Sequence, residues 1–188
     1  MNSTQLVEDS EGCILTSHPA EYQIANQQFI PSSIPLDLCD VLMKYCQISI
    51  HPAREGHPPS GNTWLIGPIF WSDSNTIAKF FGPAEREDAW RQSYHENFYI
   101  IGSSQNDGSE FIGLSVDPQL YGMVFHFRVE ALGPPLGIPK IANSFSEWLE
   151  KTLESGPDVS SCYWGMPDFK DMGPAIPGDP YYRPFGIQ

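Results

Sequence analysis

Histidines, carboxylates and thiols are the groups through which this chain could do chemistry. His51-Pro52-Ala53-Arg54-Glu55-Gly56-His57 brings two imidazoles and a carboxylate close together. A helical metal site would space its histidines at i, i+4, and this pair is six apart with a proline between, which suits a surface loop. No metal is expected there. His95-Glu96 lacks the second histidine of an HExxH pair. His126 sits in the apolar run Val124-Phe125-His126-Phe127, a setting that fits a core histidine better than a base. Gly102-Ser103-Ser104-Gln105-Asn106-Asp107-Gly108 has the outline of a phosphate cradle. A phosphate-binding loop puts Lys and Ser/Thr after its second glycine, however, and Ser109-Glu110 follow here. A carboxylate at that place repels phosphate, so a strand-connecting turn is expected.

Nucleophilic chemistry finds no better support. There is no Gly-x-Ser-x-Gly, and Cys13, Cys39, Cys46 and Cys162 form neither a Cys-x-x-Cys pair nor a zinc-like quartet. Cys39 and Cys46 are seven apart, which places them on one face of the first long predicted helix as small hydrophobes. No catalytic residue, cofactor or metal is expected. The alternative is a small, hydrolase-like enzyme with a dispersed site around His95, His126 and carboxylates; a deep pocket with perturbed pKa values would favour it.

Charge restricts the partners. The 188 residues carry 23 acidic against 10 basic side chains, a formal charge of −13. A phosphate backbone or an anionic membrane would be repelled over most of such a surface, so neither nucleic acid nor membrane is an expected partner. An acidic field suits a basic protein, because it speeds encounter and selects cationic surfaces. Met1-Asn2-Ser3-Thr4 lacks the charged start and apolar run of a secretory signal, no apolar run is long enough to span a bilayer, and a cytoplasmic protein with reduced thiols is the expectation.

These groups must be positioned by elements of which the segment from Phe98 to Leu153 is the best specified. Phe98–Gly102, Glu110–Leu114 and Gly122–Phe127 read as three short strands, followed by a helix over 144–154. Ser144-Phe145-Ser146-Glu147 is a capping box, Phe145, Trp148, Leu149 and Leu153 share one stripe, and Gly156-Pro157 stops the helix. Upstream, Ser33 or Ile34 caps a helix with Pro35 in its first turn and Leu38, Val41, Leu42 and Tyr45 buried. Residues 64–71 read as one strand interrupted at Gly67-Pro68, which suggests a bulge or an edge. Helical turns are expected after Asp73 and over 84–94. Residues 1–29 read as an extension outside the core with a short helix near Glu21–Gln28, residues 30–156 as one domain, and 157–188 as a Pro/Gly/aromatic tail lying along the domain or a partner.

The order of these segments resembles the SUKH superfamily, the group of Smi- and Knr-type domains. The resemblance rests on the helix opened by Ile34-Pro35, Gly61-Asn62-Thr63-Trp64, Phe98-Tyr99-Ile100-Ile101-Gly102, the run from Asp107 to Leu114, Gly122-Met123-Val124-Phe125, and Ile141-Ala142-Asn143-Ser144-Phe145-Ser146-Glu147-Trp148-Leu149. It covers roughly residues 30 to 154. The chain departs from the pattern in its Pro-rich tail and at His51-Pro52-Ala53-Arg54, where the family often has an Asn-Gly-Gly turn. The resemblance implies an α+β fold with a central, mostly antiparallel sheet and helices packed against it, and no enzymatic role. It also implies an immunity protein that binds and neutralises a cognate toxin with a basic surface, such as a nuclease, or else a regulatory interaction module. It supplies no contact residues. Loops that join strands usually display recognition residues, which makes Asp73, Asp107, Glu110 and Asp117 the expected partner-binding carboxylates.

Overall fold

Residues 2–19, 34–52, 63–67, 98–105, 110–128 and 140–157 are described in the computed structural model of the chain. Seven strands form one sheet in chain order: β1 (Cys13–Ser17), β2 (Tyr45–Ile50), β3 (Trp64–Ile66), β4 (Phe98–Ser104), β5 (Glu110–Ser115), β6 (Val124–Arg128) and β7 (Lys140–Ala142). Every neighbouring pair is antiparallel. Three helices, α1 (Ser3–Asp9), α2 (Leu36–Lys44) and α3 (Phe145–Ser155), pack through Val7, Leu38, Val41, Leu42, Trp148 and Leu149 into one cluster with the sheet residues Ile48, Ile50, Trp64, Ile66, Ile112 and Leu114. The fold is α+β with an antiparallel sheet, as the resemblance implies.

The register explains why the central strands read as unbroken apolar runs. Ile112 pairs with His126 and Leu114 with Val124, and the two aliphatic residues of β5 face the helices. Phe111 pairs with Phe127 and Gly113 with Phe125, so these alternate residues point to the opposite face. That face is buried too: Phe98, Ile100, Phe111, Phe125 and Phe127 lie at 4 % exposure or less, with Phe98 edge-on to both Phe125 and Phe127 at 5.2 and 5.3 Å between centroids. A strand covered on both faces has no polar side to alternate with.

α3 follows its sequence signals closely. Ser144 Oγ accepts from Glu147 N at 3.1 Å, and Gly156 ends the helix at φ 72°, where a Cβ would be strained. The carboxylate half of the box is displaced by one residue, since Glu147 Oε2 accepts from Asn143 N at 2.8 Å and from Asn143 Nδ2 at 2.7 Å. Thr152 joins Phe145, Trp148 and Leu149 as a buried residue, and Leu153 is only partly buried. The Lys151 ammonium, bonded to Glu147 Oε1 at 2.6 Å, together with Asn143, holds the Glu147 carboxyl down from 4.5 to about 2. A carboxyl with a depressed folded-state pKa stabilises fully above its unfolded value and loses that contribution as pH falls through the folded one. Glu147→Gln is therefore expected to lower the denaturation midpoint at neutral pH, with the difference from the parent protein closing between pH 4.5 and about 2. Paired denaturation curves across that range check it.

Several expectations are corrected. The segment expected to be an extension, residues 1–29, is described over 2–19, and that part is not outside the core: β1 pairs with β2, Val7 is 1 % exposed, and Leu6, Cys13 and Leu15 pack against the main cluster. α2 begins later than expected, at Leu36 with Pro35 as its N-cap in place of Ser33 or Ile34, and ends at Lys44. Tyr45 and Cys46 therefore belong to β2 and not to the helix, and Cys39 and Cys46 do not share a helical face. β3 is no edge, being flanked by β2 and β4. The expected turns after Asp73, the helices near Glu21–Gln28 and over 84–94, residues 68–71 and the tail beyond 157 lie outside the described residues.

Candidate functional site

Of the histidines proposed for chemistry, His51 and His126 lie among the described residues. His126 is fully buried on the helix-facing side of β6, edge-on to Trp64 at 6.1 Å, with Glu110 Oε2 at 3.8 Å from its Nε2. A base must reach a substrate proton within hydrogen-bond distance, and an imidazole with no exposed surface reaches none in this conformation. His51, at φ 47°, donates from Nε2 to the carbonyl of Thr152 at 3.0 Å, while its backbone N–H meets Gly12 O at 2.7 Å. That imidazole ties the β1–β2 end of the sheet to α3. His57 and His95 lie outside the described residues. Among the described residues no three His, Cys, Asp or Glu side chains converge as a metal site.

Two of the described thiols, Cys13 and Cys39, are poor nucleophiles. Burial pushes Cys13 up to about 11, and burial together with Asp40 raises Cys39. The attacking form is the thiolate, which such shifts disfavour. Cys46 Sγ lies 3.3 Å from Thr16 O, beside the β1 bulge.

Of the four carboxylates expected to bind a partner, Asp73 and Asp107 lie outside the described residues. Glu110 opens β5 with its side chain 13 % exposed and turned toward His126. Asp117 lies beyond the other end of β5, where Oδ1 accepts from Gln119 N at 2.7 Å and its carbonyl from Leu120 N at 3.0 Å. The length of β5 separates the two by roughly 17 Å. They do not form one patch.

The helices carry acidic groups that loop-based reasoning passed over. Some are engaged in holding the layer together. Glu8 Oε1 accepts from the Tyr45 hydroxyl at 2.5 Å and pairs with Lys44, which lowers the Glu8 pKa and raises that of Lys44. Asp37 Oδ2 accepts from Ser146 N at 3.0 Å and Ser146 Oγ at 2.9 Å, joining the start of α2 to the start of α3. Asp9, Glu11, Asp40, Glu150 and Glu154 are exposed on or beside the three helices, whose only cationic side chains are Lys44 and Lys151. Among the described residues, the outward side chains of the helical layer thus carry a net negative charge. The sequence signal was present in the spacing of these residues on α2 and α3, at positions off the buried stripes.

No helix among the described residues is long and apolar enough to cross a membrane. The family model described as SMI1 / KNR4 family (SUKH-1) matches residues 20–151. No curated protein and no solved structure matches the chain.

Proposed function

Because the chain belongs to the SMI1 / KNR4 family (SUKH-1), we propose that it is a non-catalytic binding protein that holds a cognate toxin in an inactive complex. The observation that carries this reading is the family match, joined to an acidic helical layer on a protein of charge −13. A nuclease toxin has a basic cleft for its substrate, and an acidic protein can occupy that cleft in place of the phosphate backbone. The complex would form in the cytoplasm and need no metal or cofactor. Sealing of His126 in the core supports binding over turnover, since it removes one of the few groups on which a dispersed site could be built.

Co-expression with candidate toxin domains from the same genome tests the proposal. Growth should be restored, and the two proteins should purify together. Association should slow by about tenfold or more between low and physiological ionic strength, because the screening length shrinks from roughly 30 to 8 Å, while dissociation changes less. Continued toxicity with no complex, or conversion of a small substrate by the purified protein, would refute it.

A further inference from the structure

Three large apolar side chains are exposed among the described residues: Leu36 at 78 %, Ile14 at 57 % and Tyr121 at 50 %. Single exposed hydrophobes are ordinary on soluble proteins. Two of these three, however, are on segments that touch. Leu36 is the first residue of α2, directly after Pro35, and Tyr121 directly precedes Gly122 in the β5–β6 turn. A Cβ built on Gly122 would stand 3.3 Å from Pro35 Cγ, and Gly122 has φ 79°, a backbone that favours glycine. That glycine lets the turn close onto the head of α2, which brings the segments bearing Leu36 and Tyr121 side by side.

The turn itself is held in shape. Gly122 N donates to Ser115 O at 2.9 Å, Met123 N to Leu120 O at 3.0 Å, and Asp117 closes its start through Gln119. The head of α2 is held by Asp37 on Ser146. Both apolar side chains therefore stand on fixed backbone, which lowers the ordering cost of binding. Acidic groups flank them. Asp40 is exposed and one helical turn from Leu36, and Asp117 is in the same turn as Tyr121.

We infer that Leu36 and Tyr121 form the apolar centre of the partner-binding surface, and that its occupant is a protein surface presenting an apolar side chain between lysines or arginines. An aromatic and an aliphatic anchor within a charged rim is the usual make-up of an interface centre. A second copy of the chain is disfavoured as occupant, because a two-fold pairing here would bring acidic flanks together on molecules of charge −13. The inference rests on the reading of the protein as a toxin-binding module and adds where the toxin sits.

The test measures affinity for the toxin domain that the co-expression trial identifies, using the full chain and its Leu36→Ala, Tyr121→Ala and Ile14→Ala variants. Tyr121→Ala and Leu36→Ala should each weaken binding by about tenfold or more, and Ile14→Ala should leave it unchanged. All three substitutions remove exposed atoms, so their denaturation midpoints should stay near the parent's, which separates lost binding from lost folding. Parent-like affinity in both Leu36→Ala and Tyr121→Ala, with a complex still formed, would overturn this surface while leaving toxin binding intact. A loss confined to Ile14→Ala would do the same and move the interface to the β1 edge. Dimerisation of the free protein that Tyr121→Ala abolishes would make the patch a self-interface and overturn the inference. Absence of any complex with the parent chain would bring down the toxin-binding reading and this surface with it.

Discussion

Trp148→Ala is expected to lower the free energy of unfolding by about 3–5 kcal/mol. The side chain is fully buried and meets Trp64 edge-on at 6.0 Å and Phe145 at 5.8 Å between ring centroids. Trp64 in turn meets His126, so one row of rings runs from α3 across β3 to β6. Truncation at Trp148 leaves a void where the helix rests on the sheet, and the neighbouring rings fill it only in part. The loss is a large share of the roughly 5–15 kcal/mol that holds a typical domain folded. Trp148→Phe should cost less than the alanine. It keeps a ring, and it removes an indole N–H that is buried with no hydrogen-bond acceptor among the described residues. Chemical denaturation of both variants decides the matter. A midpoint unchanged in Trp148→Ala would mean that the stripe does not pack on the sheet.

Gly102→Ala is expected to destabilise by about 1–3 kcal/mol although it adds a single methyl group. Gly102 pairs with Ile66 on β3 and Ile112 on β5, at the irregularity in the β4–β5 register. The added Cβ would run into Ile66 Cδ1 and stand 2.7 Å from the carbonyl oxygen of Leu65. Ile66 is fully buried and cannot swing away, and the carbonyl belongs to a strand that cannot retreat without losing its ladder. Shortening the side chain in Gly102→Ala/Ile66→Val should therefore rescue only part of the loss, because the clash with backbone stays. Full stability in Gly102→Ala would contradict the β3–β4 register.

Legibility in the sequence followed the strength of local signals. α3 was readable because cap, stripe and stop agree within thirteen residues, from Ser144 to Gly156. β4, β5 and β6 were readable because residues buried on both faces leave dense apolar runs between polar turns. β1 was not, since Cys13-Ile14-Leu15-Thr16-Ser17 is short, half exposed and mostly small or polar, as an edge strand is. β2 was hidden by continuity: Tyr45 extends the helical stripe of Leu38, Val41 and Leu42, and only pairing with β1 and β3 reveals that the backbone turns extended there. β7, Lys140–Ala142, is three residues long and carries no period of its own. The acidic site was legible as net charge but not as geometry. Loops were the natural place to look for contacts, yet Glu110 faces a buried histidine, and exposed carboxylates gather on the helices. The approach of Gly122 to Pro35, which brings the turn bearing Tyr121 to the head of α2, joins residues far apart in sequence and leaves no local trace.

The claim that this protein acts by binding and not by turnover is tested most directly by titrating it into a fixed amount of the toxin domain that co-expression identifies and following the toxin's own activity. A stoichiometric binder should abolish that activity at molar equivalence and leave almost all of it when present at a small fraction of the toxin. Inactivation of many toxin molecules by each copy of this chain, continuing with time, or activity undiminished at large excess, would contradict the account.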